Sequence, residues 1–511
     1  LNSKLKYSYL FVAIILFGFS LFFQRPHDWD LDAFLYLGSR LRHGELIYIK
    51  DFETKLPGLQ YLFYFPVTLG GIGAWRLISF ILAVISGLTA TRLLLRDVMP
   101  GTFNHPLKNL TLLMTGFFVL TLYSLPGSDS AHIEIVASAF LYPSLVLVLI
   151  QRSRVGYSKI YMLMAGALLG LAALVRPNYV YLMPIFLILN LLKDRKINSL
   201  RQPGLTLSFS FGFSMLILLA FLPYAFFKGG AGALMSGLLA MKNASHDYGF
   251  YHLLSEELLH KPGIFYFLMY SSALMLMTFL WDPKHKSIIF GYGVPVVLAI
   301  LFLNLSLLRN HYYPHNTLMF VPFACVVLSL LALIRLTDAT SRTNIRLGFV
   351  FLFFIIFLLM RPLADVAKNI IKVKDGRYQF SAYVNHRNID DRLMSFLQLQ
   401  KDKRKTFLVA DSAVYHMILD EPRIGDAHPI ILEIVLGGGR PVSMENIFLL
   451  SSKVASQPCL ALIESGKDWI VVKRDDQYYG LVDQCLVKPS SGYEGVTVTN
   501  LENYAFYRKR L

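Results

Sequence analysis

Residues 9–32, "YLFVAIILFGFSLFFQRPHDWDLD", decide how the rest of the chain is read: an apolar run over 9–23 passes straight into a cluster of acids. The run leaves no polar face for water, and "LGFVFLFFIIFLLM" at 347–360 repeats the pattern at the far end of a series of such blocks. Segments of this kind belong in a bilayer, where about 20 apolar residues in a helix span the hydrocarbon. With 511 residues, 55% of them hydrophobic and 16% charged, the fold class expected is a mainly α polytopic membrane protein with a C-terminal soluble α/β domain.

The formal net charge is +16. Its basic residues lie in short loops between apolar blocks and are not interleaved with stacking aromatics, so they speak for topology and against nucleic acid. The loops expected in the cytoplasm carry Lys4/Lys6, Arg92/Arg96/Lys108, Arg152/Arg154/Lys159, Lys193 to Arg201, Lys284/Lys286 and Arg335/Arg342/Arg346. No small-residue cleavage site follows the first run, which reads as a retained helix rather than a signal peptide. Two crossings between consecutive basic loops give about eleven helices, near 7–23, 77–95, 109–125, 134–150, 160–175, 178–193, 204–224, 263–281, 288–307, 316–335 and 347–361. The apolar block "LQYLFYFPVTLGG" (59–71) is expected to lie on the outer surface as an interfacial helix, because a crossing there would strand Arg92, Arg96 and Lys108 outside.

This threading gathers the unusual polar residues on one face: the first outer loop (24–76), 123–134, 175–178, 225–262, 309–316 and everything beyond 362. After residue 361 the long apolar blocks stop, dividing a transmembrane domain, 1–361, from a soluble domain, 362–511. Strands are expected at "TFLVAD" (406–411), "DWIVVKR" (468–474), "GVTVTN" (495–500) and "YAFYRK" (504–509), with a helix near 388–401. Of the 3 cysteines, Cys325 sits in an apolar block, while Cys459 and Cys485 share the C-terminal part and would be able to pair in an oxidising compartment.

Asp28, Asp30 and Asp32 have two readings. An aspartate here would cap a helix "AFLYLGSRLRHG" that ends at Gly44. A carboxylate at the bilayer lip would equally serve as a general base toward a hydroxyl, its neighbours holding a metal or the acceptor. Asp51, Glu53 and Lys55 precede the turn "LPG" and bring the chain back to the same lip. Glu134 opens a helix at its outward end, where the helix dipole favours an acid and where ionisable groups facing a bundle are functional candidates. Arg176, set in apolar sequence before Pro177, needs an anionic partner: a protein carboxylate, a lipid headgroup or a bound phosphate. "RNHYYPHN" (309–316) supplies Arg309, His311, Tyr312, Tyr313 and His315, which form either an aromatic belt with snorkelling bases or an anion site. The H-x-x-x-H spacing would suit a metal, but no third ligand stands nearby in sequence.

With these residues in hand, the chain resembles the GT-C glycosyltransferases, in particular the family 39 group of protein O-mannosyltransferases and lipid A aminoarabinose transferases, over about 7–361. Asp32 and Tyr36 match the acid and tyrosine that begin that family's first outer loop, Gly44, Tyr48 and Asp51 its middle, and Lys55, Pro57 and Gly58 its closing turn. Arg309, Tyr312, Tyr313, Pro314, His315 and Pro322 match its later motif, and Gly166, Gly170, Arg176 and Pro177 its glycine-rich helix. Ala33, Leu56 and Asn316 depart from the pattern.

The resemblance implies an enzyme of the inner or plasma membrane that transfers a sugar from a polyprenyl-phosphate donor to an acceptor hydroxyl on a lipid, glycan or protein at the outer face, with inversion. It implies Asp32 as the catalytic base, with Asp30, Tyr36, Asp51, Glu53, Lys55 and Glu134 around the sugar and acceptor, and Arg176, Arg309, His311, Tyr313 and His315 toward the phosphate. An optional divalent cation, magnesium or manganese, would fall to Asp30, Asp32 and Glu53. The alternative class is a polytopic lipid or sugar transporter or flippase, which calls for discontinuous helices, polar residues at mid-membrane and internal repeats. Here the polar residues gather at one face and no repeat is found.

Overall fold

The computed structural model describes residues 29–42, 44, 46–48, 56–99, 105–124, 132–153, 158–191, 202–244, 318–338, 391–402, 407–410, 468–474 and 479–510, with isolated positions between 292 and 303 and at 463. The chain divides into two compact units. The first comprises Leu1–Gln24, Trp75–Ala220 and His246–Arg377; the second comprises Arg25–Ala74, Phe221–Ser245 and Tyr378–Leu511.

Helices α1 (Trp29–Arg42) and α2 (Pro57–Leu69) belong to the second unit, and α3 (Ile72–Val98) leads into the first. The first unit continues with α4 (His105–Ser124), α5 (Ile133–Ser153), α6 (Lys159–Val175), a 3₁₀ turn (Pro177–Tyr181), α7 (Leu182–Leu191), α8 (Gln202–Phe221) and, later, α10 (Val321–Asp338). Among the described residues, three stretches are long and apolar enough to cross a membrane: Gly73–Val98, Ile133–Gln151 and Pro203–Phe226. Shorter apolar helices cover Leu107–Tyr123, Lys159–Val175, Pro177–Ile188 and Leu318–Leu330. The chain is an integral membrane protein, and the expected spans from 77–95 to 204–224, with 316–335, coincide with α3 to α8 and α10. The spans expected at 7–23, 263–281 and 347–361, and most of 288–307, lie outside the described residues.

The helix ends sort themselves as antiparallel threading requires. At the start of α3, Ser79 Oγ meets the hydroxyl of Tyr123 near the end of α4 at 3.0 Å. Near the start of α5, Ser138 Oγ donates to the carbonyl of Leu318, just ahead of α10, at 2.8 Å. At the opposite ends, Leu95 of α3, Leu107, Leu110 and Met114 of α4, and Ala332 and Leu333 of α10 form one hydrophobic cluster. Tyr292 donates to Asp97 at 2.6 Å in that same layer of α3. Helix α5 is buried almost throughout, whereas α8 exposes Leu207, Phe211, Leu218 and Leu219 as a lipid-facing helix would.

Helices α6 and α8 cross at glycines. A Cβ on Gly166 would stand 2.0 Å from the carbonyl oxygen of Phe209, and one on Gly212 would stand 2.1 Å from that of Leu163. Only hydrogen at these positions lets the two backbones touch, the small-residue crossing by which helices associate in lipid.

In the second unit, α1 begins at Trp29, so Asp30 and Asp32 lie inside its first turns and not at a cap before "AFLYLGSRLRHG". Acids in this position are favoured by the unpaired N–H groups of the helix start. The end falls where glycine permits it: Gly44 takes φ 78° and its N–H donates to Leu41 O at 2.9 Å. Pro57 starts α2, and Gly70 and Gly71, at φ 136° and 70°, end it. Its 13 residues reach about 20 Å, short of the roughly 30 Å hydrocarbon core. One side buries Leu59, Gln60, Phe63 and Pro66, while Phe65 and Leu69 are exposed, the distribution of a helix lying in the interface. A 3₁₀ turn (Leu222–Phe226) and α9 (Gly230–Ala244) belong to the same unit.

The C-terminal part holds α11 (Asp391–Asp402), β1 (Phe407–Ala410), β2 (Trp469–Lys473), α12 (Tyr479–Leu486), β3 (Tyr493–Val496) and β4 (Tyr504–Lys509). The sheet order is β1-β2-β4-β3. β1 pairs parallel with β2, Phe407 opposite Trp469; β4 pairs antiparallel with β2 and with β3. Three strands and the helix fall where the alternation places them. The third strand, Tyr493–Val496, starts two residues before the expected 495–500 and ends four before it; beyond it the chain turns, with Asn500 at φ 67°, a conformation asparagine tolerates better than β-branched residues. Cys485 is disulfide-bonded and Cys325 is free and buried; Cys459 lies outside the described residues.

Candidate functional site

Asp30, Asp32 and Tyr36 all lie on α1. Helical geometry puts Asp32 and Tyr36 on one face, with Leu35 and Ser39, while Asp30 stands roughly 200° around the axis from Asp32. Asp51, Glu53, Lys55, Arg309, His311, Tyr313 and His315 lie outside the described residues.

The acid-bearing helix is fastened to α2 at two levels. Gly38 of α1 meets α2 so closely that a Cβ would stand 2.5 Å from the carbonyl oxygen of Phe63, and the rings of Phe34 and Phe63 lie 5.4 Å apart. Gln60, fully buried, then ties three segments together: its Nε2 donates to Leu37 O at 3.0 Å and its Oε1 accepts from Ile47 N at 3.1 Å. Ile47 O accepts in turn from the hydroxyl of Tyr224 at 2.9 Å. Beside it, Tyr48 is buried at φ 64°, with its ring 6.4 Å from that of Tyr224. A Cβ on Gly237 of α9 would fall 2.4 Å from the Tyr48 ring, so the ring occupies a notch that only glycine leaves open.

The first unit holds a separate cluster. Arg176 precedes a proline, which disfavours the helical region, and it takes φ −133° and ψ 102°, ending α6 at Val175. The break turns its side chain to the start of α5, where Arg176 Nε lies 3.1 Å from Glu134 Oε1. Glu134 Oε2 is also bonded to His132 Nδ1. The Glu134 side chain has 0% exposure and that of Arg176 has 11%, so this is a buried ion pair. Next to it, the hydroxyls of Tyr179 and Ser138 lie 3.1 Å apart. Since the single proton of Ser138 goes to Leu318 O, Tyr179 donates to Ser138. The pairing answers one question left open by the sequence: the anionic partner of Arg176 is a protein carboxylate.

Several residues were not singled out from the sequence. Gln60 reads as one polar residue on an apolar helix, and its two backbone partners are 23 and 13 residues away. Arg76 is buried in the first turns of α3, its carbonyl accepting from Ser79 Oγ at 2.9 Å; the signal was available in "AWRLISF", a lone arginine in apolar sequence. Tyr224 and Gly237 carry no signal by themselves. Among the described residues, no group of three metal-ligating side chains comes together.

The geometry can now be set beside known proteins. No family model matches the chain, and no curated protein does. Solved structures do. ArnT from Cupriavidus metallidurans, bound to undecaprenyl phosphate, superposes with a TM-score of 0.53 at 13% identity, over 100% of this chain and 98% of its own. The chain has the ArnT fold. The apo form of the same protein gives 0.52 at 13% identity, over 99% and 98%. The archaeal oligosaccharyltransferase AglB from Archaeoglobus fulgidus, in complex with an inhibitory peptide and a dolichol-phosphate, gives 0.47 at 13% identity over 99% of this chain and 74% of that one. The likeness shows the fold, and it is the fold the family resemblance led us to expect.

Proposed function

We propose that this chain is a membrane glycosyltransferase that moves a sugar from a polyprenyl-phosphate donor to an acceptor hydroxyl at the outer membrane face, with inversion. The observation that carries the reading is the match to ArnT along the whole chain, in a structure that holds undecaprenyl phosphate. The first-loop residues of the family resemblance, Asp32 and Tyr36, lie on one face of α1 in this fold. The donor's hydrocarbon tail stays in lipid and its phosphate sits at the interface, so transfer takes place at the lip that α1 is expected to occupy.

In the proposed reaction the acceptor oxygen attacks the anomeric carbon as the Asp32 carboxylate takes its proton. The bond between the anomeric carbon and the phosphate oxygen breaks, and polyprenyl phosphate leaves with that electron pair. Arg309 and His315, with Arg176, oppose the charge growing on the leaving group, while Asp30, Tyr36, Asp51, Glu53, Lys55 and Glu134 orient hydroxyls; His311 and Tyr313 line the phosphate side. A divalent cation, magnesium or manganese, would fall to Asp30, Asp32 and Glu53, where it would steady the sugar and acceptor hydroxyls; no step is routed through it.

The test is purified protein in lipid nanodiscs, incubated with labelled polyprenyl-phosphate sugars and a membrane extract as acceptor source. Label should move to an acceptor, and Asp32→Asn should slow the transfer by about 10²- to 10⁴-fold, the usual contribution of a general base, while inserting and folding normally. Near-full activity in Asp32→Asn would remove it from this role, and no transfer from any donor would end the proposal.

A further inference from the structure

The turn formed by Leu46, Ile47 and Tyr48 is held more tightly than a connecting loop requires. Both backbone polar groups of Ile47 bond to side chains of other elements, the N–H to Gln60 and the carbonyl to Tyr224. The next residue, Tyr48, holds positive φ, which for a bulky side chain other than glycine is an outlier that persists only where the surroundings over-determine it. Those surroundings are its burial, the Tyr224 ring beside it and the Gly237 notch over it. Through Gln60 the same turn is tied to Leu37, one and a half helical turns along α1 from Asp32, so that α1, α2, the 3₁₀ turn and α9 meet at one point.

We propose that Gln60, Tyr48 and Tyr224 are positioning residues for the transfer reaction: they latch the turn after α1 onto the 222–237 segment and so fix the helix that carries Asp32. The inference rests on the functional reading above, with Asp32 as base. A side chain that only stabilises the fold would leave the turnover of folded molecules unchanged, or lower it alike whether or not the base is present. A positioning residue acts through the base, and its effect vanishes when the base is gone.

The experiment is a double-mutant cycle in the full-length protein in nanodiscs, with turnover counted per folded molecule recovered from size exclusion. Tyr224→Phe keeps the ring and removes the bond to Ile47 O. It should lower kcat about 10-fold, comparable to losing one buried hydrogen bond, with the donor KM within about twofold of wild type. In the Asp32→Asn background, the same substitution should change the residual rate by less than about twofold. Gly237→Ala, which drives a methyl against the Tyr48 ring, should give the same kcat loss and the same dependence on Asp32, and it decides the case if Tyr224→Phe does not fold. An unchanged kcat in the folded variants, or an equal loss with and without Asp32, overturns the inference while leaving the functional reading in place. A wild type without transfer overturns the functional reading itself, while a fully active Asp32→Asn removes Asp32 as the base; either outcome takes the latch role with it.

Discussion

Replacing Glu134 by glutamine keeps the shape of the side chain but leaves the guanidinium of Arg176, with a side-chain exposure of only 11%, facing a neutral amide. Arginine cannot escape by losing its proton, so the charge stays buried without its carboxylate, and removal of one partner of a buried pair costs about 3–5 kcal/mol. At roughly 1.4 kcal/mol per tenfold, the unfolding equilibrium shifts by about 10²- to 10⁴-fold. Arg176→Met in the same molecule removes the stranded charge, and the double variant should recover most of the loss, since apolar replacement of a whole buried pair is often neutral. The assay is reversible unfolding in mixed micelles for wild type, both single variants and the double variant. A Glu134→Gln midpoint equal to wild type, or a double variant as unstable as the sum of the two singles, would show that the 3.1 Å pair does not bear on the fold.

Leucine at Gly166 should force α6 and α8 apart, because even its Cβ would sit 2.0 Å from Phe209 O; a loss of about 1–3 kcal/mol or more is expected. Leucine at Gly232, where nothing lies within 4 Å, should be neutral in the same unfolding measurement. In the C-terminal sheet, Tyr507 donates to Asp483 at 2.6 Å, and burial first, then Asp483, pushes its hydroxyl above the ordinary tyrosine range. Because the folded state holds that proton more firmly than the unfolded one, the stabilisation is complete below the ordinary value of about 10 and is lost as pH climbs above it. Tyr507→Phe should lower the resistance of this region to pulse proteolysis by about 1.5–3 kcal/mol near pH 8 and abolish its decline at alkaline pH.

The helices were legible because a bilayer allows so little else: with no water to satisfy backbone groups, each long apolar block must close its own hydrogen bonds. Basic-loop threading also put the starts of α3 and α5 in the same layer as the ends of α4 and α6, which Ser79–Tyr123 and Glu134–Arg176 bear out. The start of α1 was not legible, since "HDWDLDAF" offers three aspartates with equal claims to a cap. Gln60 and Tyr224 were not legible for a different reason. Their bonds go to backbone groups of Ile47, and tertiary neighbours 13 and 177 residues away leave no periodic mark on a sequence. The strand expected at "GVTVTN" overlaps the observed Tyr493–Val496 only at Gly495 and Val496, because β propensity favours its later residues and says nothing of where the chain must turn.

The Glu134–Arg176 pair also changes how charge is shared in the proposed reaction. Read alone, Arg176 is a cation set in apolar sequence that needs an anion, and a leaving phosphate would meet that need. In the folded chain the need is met by Glu134, and a phosphate drawing near would face a carboxylate as well as a guanidinium. At about 5 Å and an effective dielectric near 20, one phosphate charge and one carboxylate repel by roughly 3 kcal/mol, which offsets much of what the guanidinium supplies at a similar distance. Under the proposed mechanism Arg309 and His315 therefore carry the larger share of the cationic work, with Arg176 beside them. Arg176, its charge shared with Glu134, adds less to them than an unpaired guanidinium would, and it also holds the start of α5 against the end of α6.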